Sequence, residues 1–428
     1  MRKVVDKPAS TKLIYFWNMT GSFVNALCSV IFLLIVSRTL VDRQSDIFSL
    51  GFSIAQLMYT VATFQMRVFQ ATDVKEEYSF GQYFSFRILT SIFMVITMLV
   101  YIYINGYTGY KAFIIGLLCI YKMIDAVSDV FEGLYQQKER LDLAGKFLTY
   151  RIVPTLIVFA IISIAFKELL YSCLAIIIVC ALVMFVYVLR HTNQFLTDSS
   201  KLIDFDTKVM SSLLIRVLPI FLGGFILMYV FNVPKNSIDI AITSGRLVDG
   251  SQTIYNIIFM PASVINLLFI FFRPQITRMA IYFKDNNYKH LNNTALKIGV
   301  ILFLFTLFAA AAGGTIGIPI MAFVFGRSLE AVRLDLVLVM IGGGISALAT
   351  LMDNLLTIYR KQYLNLIGYT ASLIVALILG NSLVNKYGIR GAAVTYTTSM
   401  FVAFAVLIVL YLIVAKERMR LSNEKESC

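Results

Sequence analysis

Four ionisable residues fall inside one apolar segment of the chain, the stretch IYKMIDAVSDVFE at residues 120–132. Lys122, Asp125, Asp129 and Glu132 follow one another in steps of three, four and three, so a helix carries all four along one face. Such a face has the residue types to bind an anion through its lysine. Its carboxylates have the chemistry to hold a coupling cation or a proton.

The composition shows the environment in which this segment lies. Of the 428 residues 59% are hydrophobic and 14% are charged, and the mean hydropathy is +0.81. Soluble globular domains have about 25% charged residues. Apolar runs long enough to cross ~30 Å of hydrocarbon recur along the whole length. The sequence therefore predicts an all-α, polytopic membrane protein with about twelve transmembrane helices.

The charged face lies in the fourth predicted span, residues 112–134. At ~1.5 Å per residue, Lys122 and Asp125 lie roughly 14 to 18 Å from its cytoplasmic end. A charge facing lipid at that depth costs at least ~2.5 to 3.5 kcal/mol, so the face must contact protein or water. Two interpretations stay open. Lys122 and Asp125 form a structural ion pair, or the face lines a transport cavity in which Lys122 meets an anionic substrate and Asp125 or Asp129 provides coupling.

Other polar residues in predicted spans have the same two interpretations. Asn18, Asn25 and Gln56 either make interhelical hydrogen bonds or line the cavity. Arg246 and Asp249 lie near the outer end of the eighth predicted span, residues 247–272, where Arg246 either reaches the interface or serves the cavity. Pro261 interrupts the backbone hydrogen bonds of the same span, so we expect a bend there and a candidate hinge.

The distribution of basic residues predicts the orientation. Most of the 37 lysines and arginines fall in the terminal segments and in the loops on the same side, so both termini are predicted to be cytoplasmic. The net charge of +13 then reflects orientation and attraction to lipid head groups, and no nucleic-acid partner is expected. The basic N-terminus precedes a helix too long for a cleaved signal, so we expect a retained first span. The five cysteines have no metal-like spacing, and no metal or other cofactor is expected.

The spans divide into two groups of six at the polar stretch 191–208. We therefore predict two six-helix lobes, residues 1–200 and 201–428, related by a parallel repeat about an axis along the membrane normal. Short matches support this repeat. The loop YQQKERLDLAG at 135–145 aligns with IYRKQYLNLIG at 358–368.

Three segments of the chain together resemble bacterial polysaccharide flippases of the Wzx type. They are the loop EGLYQQKERLDLAG at 132–145, the segment GRLVDGSQTIYNIIFMPASVINLLFIFFRPQIT at 245–277 and YGIRGAAVTYTTSMF at 387–401. The larger group that contains this family also holds lipid II flippases and multidrug and toxin exporters. The resemblance implies alternating access by two six-helix lobes and transport of an undecaprenyl-diphosphate-linked oligosaccharide to the outer leaflet. Glycosyltransferases and a polymerase of the same pathway are the implied partners, and the bacterial cytoplasmic membrane is the implied location.

The resemblance also implies a cationic central cavity. The first two predicted spans contain no deep arginine or lysine, which leaves Lys122 and Arg246 as the main candidates to meet the diphosphate. A cation-coupled exporter of drugs or small metabolites on the same fold is the alternative. A membrane enzyme is disfavoured, because the longest predicted loop is about 25 residues and cytoplasmic, where glycan polymerases and ligases use a large outer loop.

Overall fold

The computed structural model describes residues 10–73, 76–192, 195, 202–267 and 272–426. These residues form helices and connecting turns with no strand among them, which confirms the all-α fold class. The chain forms two compact units, Met1–Phe225 and Ile226–Cys428. The basic N-terminus and most of the polar stretch 191–208 lie outside the described residues.

The first unit is built from seven helices and the beginning of an eighth. They are α1 (Thr11–Thr39), α2 (Asp42–Thr63), α3 (Met66–Thr72), α4 (Phe80–Ile104), α5 (Gly109–Gln137), α6 (Leu141–Phe166), α7 (Leu169–His191) and α8 (Thr207–Thr243), which ends in the second unit. Helix α5 contacts α2, α4, α6 and α7, so it occupies the centre of this unit.

Helices α1 and α6 approach each other closely because glycines lie at their contact. A Cβ atom on Gly145 would lie 2.2 Å from the Trp17 carbonyl oxygen, and one on Gly21 would lie 2.7 Å from the Gly145 carbonyl oxygen. Both distances are well below van der Waals contact, so each position accepts only glycine at this separation. Such contacts between small residues are typical of helix pairs in membranes.

A sharp break separates α2 from α3. Phe64 and Gln65 both adopt left-handed backbone conformations, with φ of 48° and 55°, and the Phe64 amide closes α2 on the Thr60 carbonyl at 3.0 Å. Two successive non-glycine residues in this conformation are unfavourable, by roughly 1–2 kcal/mol each. The predicted single span over 47–66 is therefore wrong at its end, and the turn carries Arg67 into a separate helix.

The second unit contains the end of α8 and seven further helices. They are α9 (Ser251–Leu267), α10 (Arg273–Lys284), α11 (Tyr288–Ala312), α12 (Ile318–Phe325), α13 (Arg333–Ile358), α14 (Asn365–Tyr387) and α15 (Ile389–Glu426). A π-helical turn, Gly313–Gly317, joins α11 to α12. Small residues bring α13 close to its neighbours, since a Cβ on Gly343 would lie 2.8 Å from the Ala262 Cα and one on Gly344 would lie 2.1 Å from Thr306.

In the described part of the chain, nine helical stretches are long and apolar enough to cross a membrane. The protein is thus a multi-pass membrane protein. Helices α2 and α5 are as long but carry charged and polar residues through their length. The count of about twelve spans and the repeat between the halves stay predictions.

Candidate functional site

The four ionisable residues of α5 do share one face, and that face contacts protein. Lys122, Asp129 and Glu132 are 7%, 6% and 2% exposed, and Asp125 is half-buried. The Lys122 Nζ atom lies 3.0 Å from Asp125 Oδ2, so the ion pair that was one of the two interpretations is present. The expectation that these charges avoid lipid agrees with this burial.

Three arginines from three other helices complete the ion pairing. Arg151 of α6 lies 2.7 Å from Asp125 and 3.0 Å from Glu132. Arg67 of α3 lies 2.7 Å from Glu132 and 2.9 Å from Asp129.

Arg87 of α4 lies 3.0 Å from the second oxygen of Asp129 and also donates to the Ala62 carbonyl. We call these paired residues the charge network: Arg67, Arg87, Lys122, Asp125, Asp129, Glu132 and Arg151.

The charge network has an excess of positive charge, because four cationic side chains face three carboxylates. The side chains of Arg87 and Arg151 are only 1% and 3% exposed, whereas the side chain of Arg67 is 33% exposed. Arg67 also donates to the Gln136 amide oxygen at 3.4 Å. The accessible edge of the network is therefore a guanidinium, a group suited to bidentate binding of phosphate or carboxylate.

Lys122 has an aromatic environment in addition to its carboxylate. Its Nζ atom lies 5.3 Å from the ring centroids of both Phe52 and Tyr59, and 5.5 Å from that of Tyr121. Cation–π contacts of this kind add about 0.5 to 2 kcal/mol each, more where water is excluded. The ammonium is held by three rings and Asp125, so it is less accessible than Arg67.

The sequence alone did not indicate that Arg67, Arg87 and Arg151 pair with α5. Arg87 and Arg151 each lie one residue before a predicted span, at 88–104 and 152–166, because a hydropathy criterion ends a span at a charge. In the structure α4 begins at Phe80, behind a capping box formed by Ser79 and Gln82, and α6 begins at Leu141. The signal that could have found them is electrostatic, since three buried carboxylates on α5 require cations nearby.

The polar residues predicted on α1 and α2 are not part of the charge network. Asn18 is half-buried on α1, next to the close contact with Gly145 of α6. Asn25 is exposed on α1, and Gln56 is half-buried on α2. Their assignment to a substrate cavity stays a prediction.

Arg246 and Asp249 lie just before the helix of the eighth predicted span, and their assignment to a substrate cavity stays a prediction. Both are exposed in the turn between α8 and α9, after Thr243 and before Ser251, so neither lies inside a helix. The preceding helix, α8, continues well beyond the predicted span of 213–231 and ends only at Thr243. It runs through Pro234 and places Lys235, only 9% exposed, with its Nζ atom 4.7 Å from the Phe259 ring. Lys235 is thus a buried cation of the second unit that the sequence reasoning assigned to a loop.

Buried polar residues continue along this part of the second unit. Helix α9 has Gln252 and Asn256 at 0% and 8% exposure, and it continues through Pro261 without interruption to Leu267. Over the described ranges, no three His, Cys, Asp or Glu side chains form a group that could hold a metal ion.

Comparisons with known proteins give the fold a wider context. No protein-family model matches the sequence, and no curated protein sequence matches it either. Among solved structures, the chain is similar to the lipid II flippase MurJ in an inward closed conformation. That match has a TM-score of 0.67 and 12% identity, and it covers 93% of this chain and 90% of the other.

The chain is also similar to transporters of the MATE family. A multidrug resistance MATE transporter of the MOP superfamily in an inward-facing conformation matches with a TM-score of 0.63 and 15% identity, over 97% of this chain and 99% of the other. The MATE transporter VcmN of Vibrio cholerae matches with a TM-score of 0.56 and 13% identity, over 95% and 97% of the two chains. At these identities the likeness concerns the fold alone: the chain has the fold that MATE transporters share with MurJ.

Proposed function

We propose that this protein is a flippase that moves an undecaprenyl-diphosphate-linked oligosaccharide from the inner to the outer leaflet of the bacterial cytoplasmic membrane by alternating access. The observation that carries the proposal is the likeness, over nine-tenths of the chain, to the fold of a lipid II flippase. The resemblance of three sequence segments to Wzx-type flippases supports the choice of glycan lipid as substrate. Both termini are cytoplasmic in this proposal, and glycosyltransferases and a polymerase act before and after the protein.

The physics of the transfer requires a protein of this kind. An oligosaccharide that crosses hydrocarbon alone loses water at many hydroxyls, at several kcal/mol for each one that stays unpaired. The diphosphate adds negative charge that requires cationic partners. An inside-negative membrane potential favours outward movement of that charge by about 2.3 kcal/mol per charge per 100 mV. We propose the potential as a driving force, and a transport rate indifferent to it would contradict this part.

In this proposal Arg67 is the residue that meets the diphosphate first. Its side chain is the most exposed of the charge network, and it is already shared between two carboxylates, Asp129 and Glu132. A phosphate oxygen that binds Arg67 competes with these carboxylates. The carboxylates then rely on Arg87 and Arg151, which contact Asp129 and Glu132 respectively. Substrate binding at Arg67 would therefore change the ion pairs at the centre of the first unit, through exchange of partners within the charge network.

The second candidate is a cation-coupled exporter of drugs or small metabolites. The observation that favours it is the likeness to multidrug MATE transporters at nearly the same TM-score. In that case Asp125 and Asp129 serve coupling and no glycan lipid is needed. The two candidates differ in substrate, so one assay separates them.

The experiment locates the glycan lipid in cells that produce it. An impermeant glycan-modifying reagent reports how much lipid-linked oligosaccharide reaches the outer face, with and without the protein. We expect loss of the protein to trap the glycan lipid inside. At equal protein level, we expect Arg67→Gln and Lys122→Ala to reduce the outer fraction at least about tenfold, since each removes a charged hydrogen-bond donor.

The matched control is Arg216→Gln. Arg216 makes an exposed ion pair with Glu77, so this variant loses the same charge outside the network. The Arg216→Gln variant should bring the glycan lipid to the outer face as the unchanged protein does. If the glycan lipid reaches the outer face without the protein, the flippase proposal is wrong, and export of small cationic compounds becomes the function to measure.

A further inference from the structure

The second unit has a cavity of about 350 Å³ where α10, the turn between α13 and α14, and α15 meet. Three cationic side chains line it, Arg360 and Lys361 from the turn and Arg418 from α15, together with the single carboxylate of Glu417. Phe283, Tyr359 and Val414 provide the rest of the lining. We call this cavity the basic pocket. It is separate from the charge network, which lies in the first unit.

The cations of the basic pocket have no carboxylate partners among the residues that the structure describes. None of Arg360, Lys361 and Arg418 makes an ion pair within 4.0 Å across the described residues. Comparable cations elsewhere do pair, such as Lys138 with Glu76 at 2.6 Å and Arg333 with Glu330 at 2.6 Å. Three like charges around one cavity repel one another unless an anion lies between them. The pocket thus has the electrostatics of an anion site.

The backbone fixes the two cations of the turn. Helix α13 ends at Ile358, the Lys361 amide donates to the Leu356 carbonyl at 2.8 Å, and Arg360 takes the left-handed conformation with φ of 58°. Glycine adopts that conformation most easily, yet this chain has an arginine there. The dipole of α13 favours cations at its C-terminal end, which accounts for Arg360 and Lys361. It does not account for Arg418, which comes from another helix.

Tyr359 lines the aromatic side of the pocket. Its ring packs against Phe283 at 4.8 Å between centroids and against Tyr411 at 5.7 Å, and the residue is only 6% exposed. The Tyr359 hydroxyl itself is buried, and none of the residues described accepts a hydrogen bond from it. Burial raises the pKa of this hydroxyl, so it stays protonated.

We propose that the basic pocket binds a phosphate group, with Arg360, Lys361 and Arg418 as charged donors. The ligand class is a phosphate ester at the membrane surface, as in the head group of an anionic phospholipid. Inorganic phosphate shares the same chemistry. The pocket lies just beyond the end of α13, where a membrane span gives way to water. The proposal does not depend on the transported substrate.

The test uses the full chain in mixed micelles. Native mass spectrometry measures retention of phosphatidylglycerol against phosphatidylcholine, and a parallel titration measures competition by inorganic phosphate. A surface cation contributes about 1 kcal/mol to binding anionic lipid, so we expect Lys361→Gln and Arg418→Gln each to weaken binding about fivefold. Glu417→Gln removes the one negative charge of the lining and should strengthen binding by a similar factor.

Lys416→Gln is the matched control, because it removes the same charge from α15 outside the lining. It should change binding less than twofold if the pocket rather than the general surface charge binds phosphate. Tyr359→Phe keeps the ring and removes only the hydroxyl. We expect it to change binding less than twofold, because the hydroxyl is buried away from the cavity and the charged donors are kept.

Three outcomes are possible. Variant-sensitive retention of phosphatidylglycerol that inorganic phosphate does not displace supports the site with a lipid as its source. Variant-sensitive binding of inorganic phosphate with no preference between the lipids supports the site with a soluble source. If Arg418→Gln, Lys361→Gln and Lys416→Gln behave alike for both ligands, the proposal is wrong.

Discussion

At the scale of residues, the charge network shows how ionic side chains are accommodated in an apolar interior. Arg151 bridges Asp125 and Glu132, two residues almost two turns apart on α5, and all three side chains are largely buried. Buried pairs contribute little net stability when both partners are present. Removal of one partner is costly, because the other charge stays buried and uncompensated.

The first prediction concerns Arg151. Arg151→Gln should destabilise the protein by about 1 to 3 kcal/mol, since Asp125 and Glu132 lose their shared partner but keep Lys122 and Arg67 respectively. Arg216→Gln, which breaks the exposed pair with Glu77, should leave the stability of the protein nearly unchanged. Unfolding of the detergent-solubilised protein measures both. Equal losses in the two variants would show that the network is no more than a set of surface pairs.

The charge network also marks the limit of sequence reasoning at this scale. The spacing of Lys122, Asp125, Asp129 and Glu132 predicted one helical face, and the structure confirms it. Their partners Arg87 and Arg151 are distant in sequence and lie at predicted span boundaries. A spacing rule reports neighbours along one helix only, so pairing across helices required the tertiary structure.

At the scale of elements, the contact between α1 and α6 depends on backbone proximity. Gly145 lies against the backbone of Trp17 and Asn18, where flexible side chains cannot move aside to make room. Any added atom therefore has to separate two helices. Close packing is a main source of helix association within membranes, so separation is costly.

The second prediction tests this contact. Gly145→Ala should destabilise the protein by about 1 to 3 kcal/mol, because the new Cβ would otherwise lie 2.2 Å from the Trp17 carbonyl oxygen. Gly116→Ala is the control, since nothing lies within 4 Å of a Cβ at that position on α5. It should stabilise α5 by about 0.5 to 1 kcal/mol. Thermal unfolding measured side by side should therefore show shifts of opposite sign.

The third prediction concerns the candidate hinge at Pro261. Helix α9 continues through this residue, and proline leaves the Ile257 carbonyl without its helical amide partner. Pro261→Ala restores that donor and should raise stability, by up to about 3 kcal/mol. If the position is a hinge, the outer-leaflet fraction of glycan lipid should fall in the same variant. A more stable variant with full transport would leave Pro261 with a structural role only.

At the scale of the whole molecule, composition and hydropathy predicted more of the fold than short sequence motifs did. Hydropathy runs predicted a polytopic all-helical chain, and the described residues form helices, nine of them long and apolar enough to cross a membrane. Span ends were less accurate, because α4, α6 and α8 all continue past charged or proline residues. For α4 and α6, carboxylates of α5 pair with the arginines that an isolated span would have to leave in lipid.

The fourth prediction concerns orientation. With both termini cytoplasmic, the turn between α8 and α9 faces outward and the turn after α5 faces inward. In a Cys428→Ser background, Arg246→Cys should react with an impermeant thiol reagent in intact cells, and Lys138→Cys only after permeabilisation. The four described native cysteines, Cys28, Cys119, Cys173 and Cys180, are buried and give a low background. The reverse labelling pattern would show that the topology is the opposite of the one predicted.

The position of the charge network along the chain has a consequence for biogenesis. Helix α5 emerges from the ribosome with Arg87 of α4 already made but with Arg151 of α6 still to come. Each of its charges opposes insertion by ~2.5 to 3.5 kcal/mol until it is paired. We therefore expect α5 to stay beside the insertion machinery until α6 arrives, so that the two helices leave together. A nascent chain that ends between them should accumulate there, whereas one that ends after α6 should be released into the bilayer.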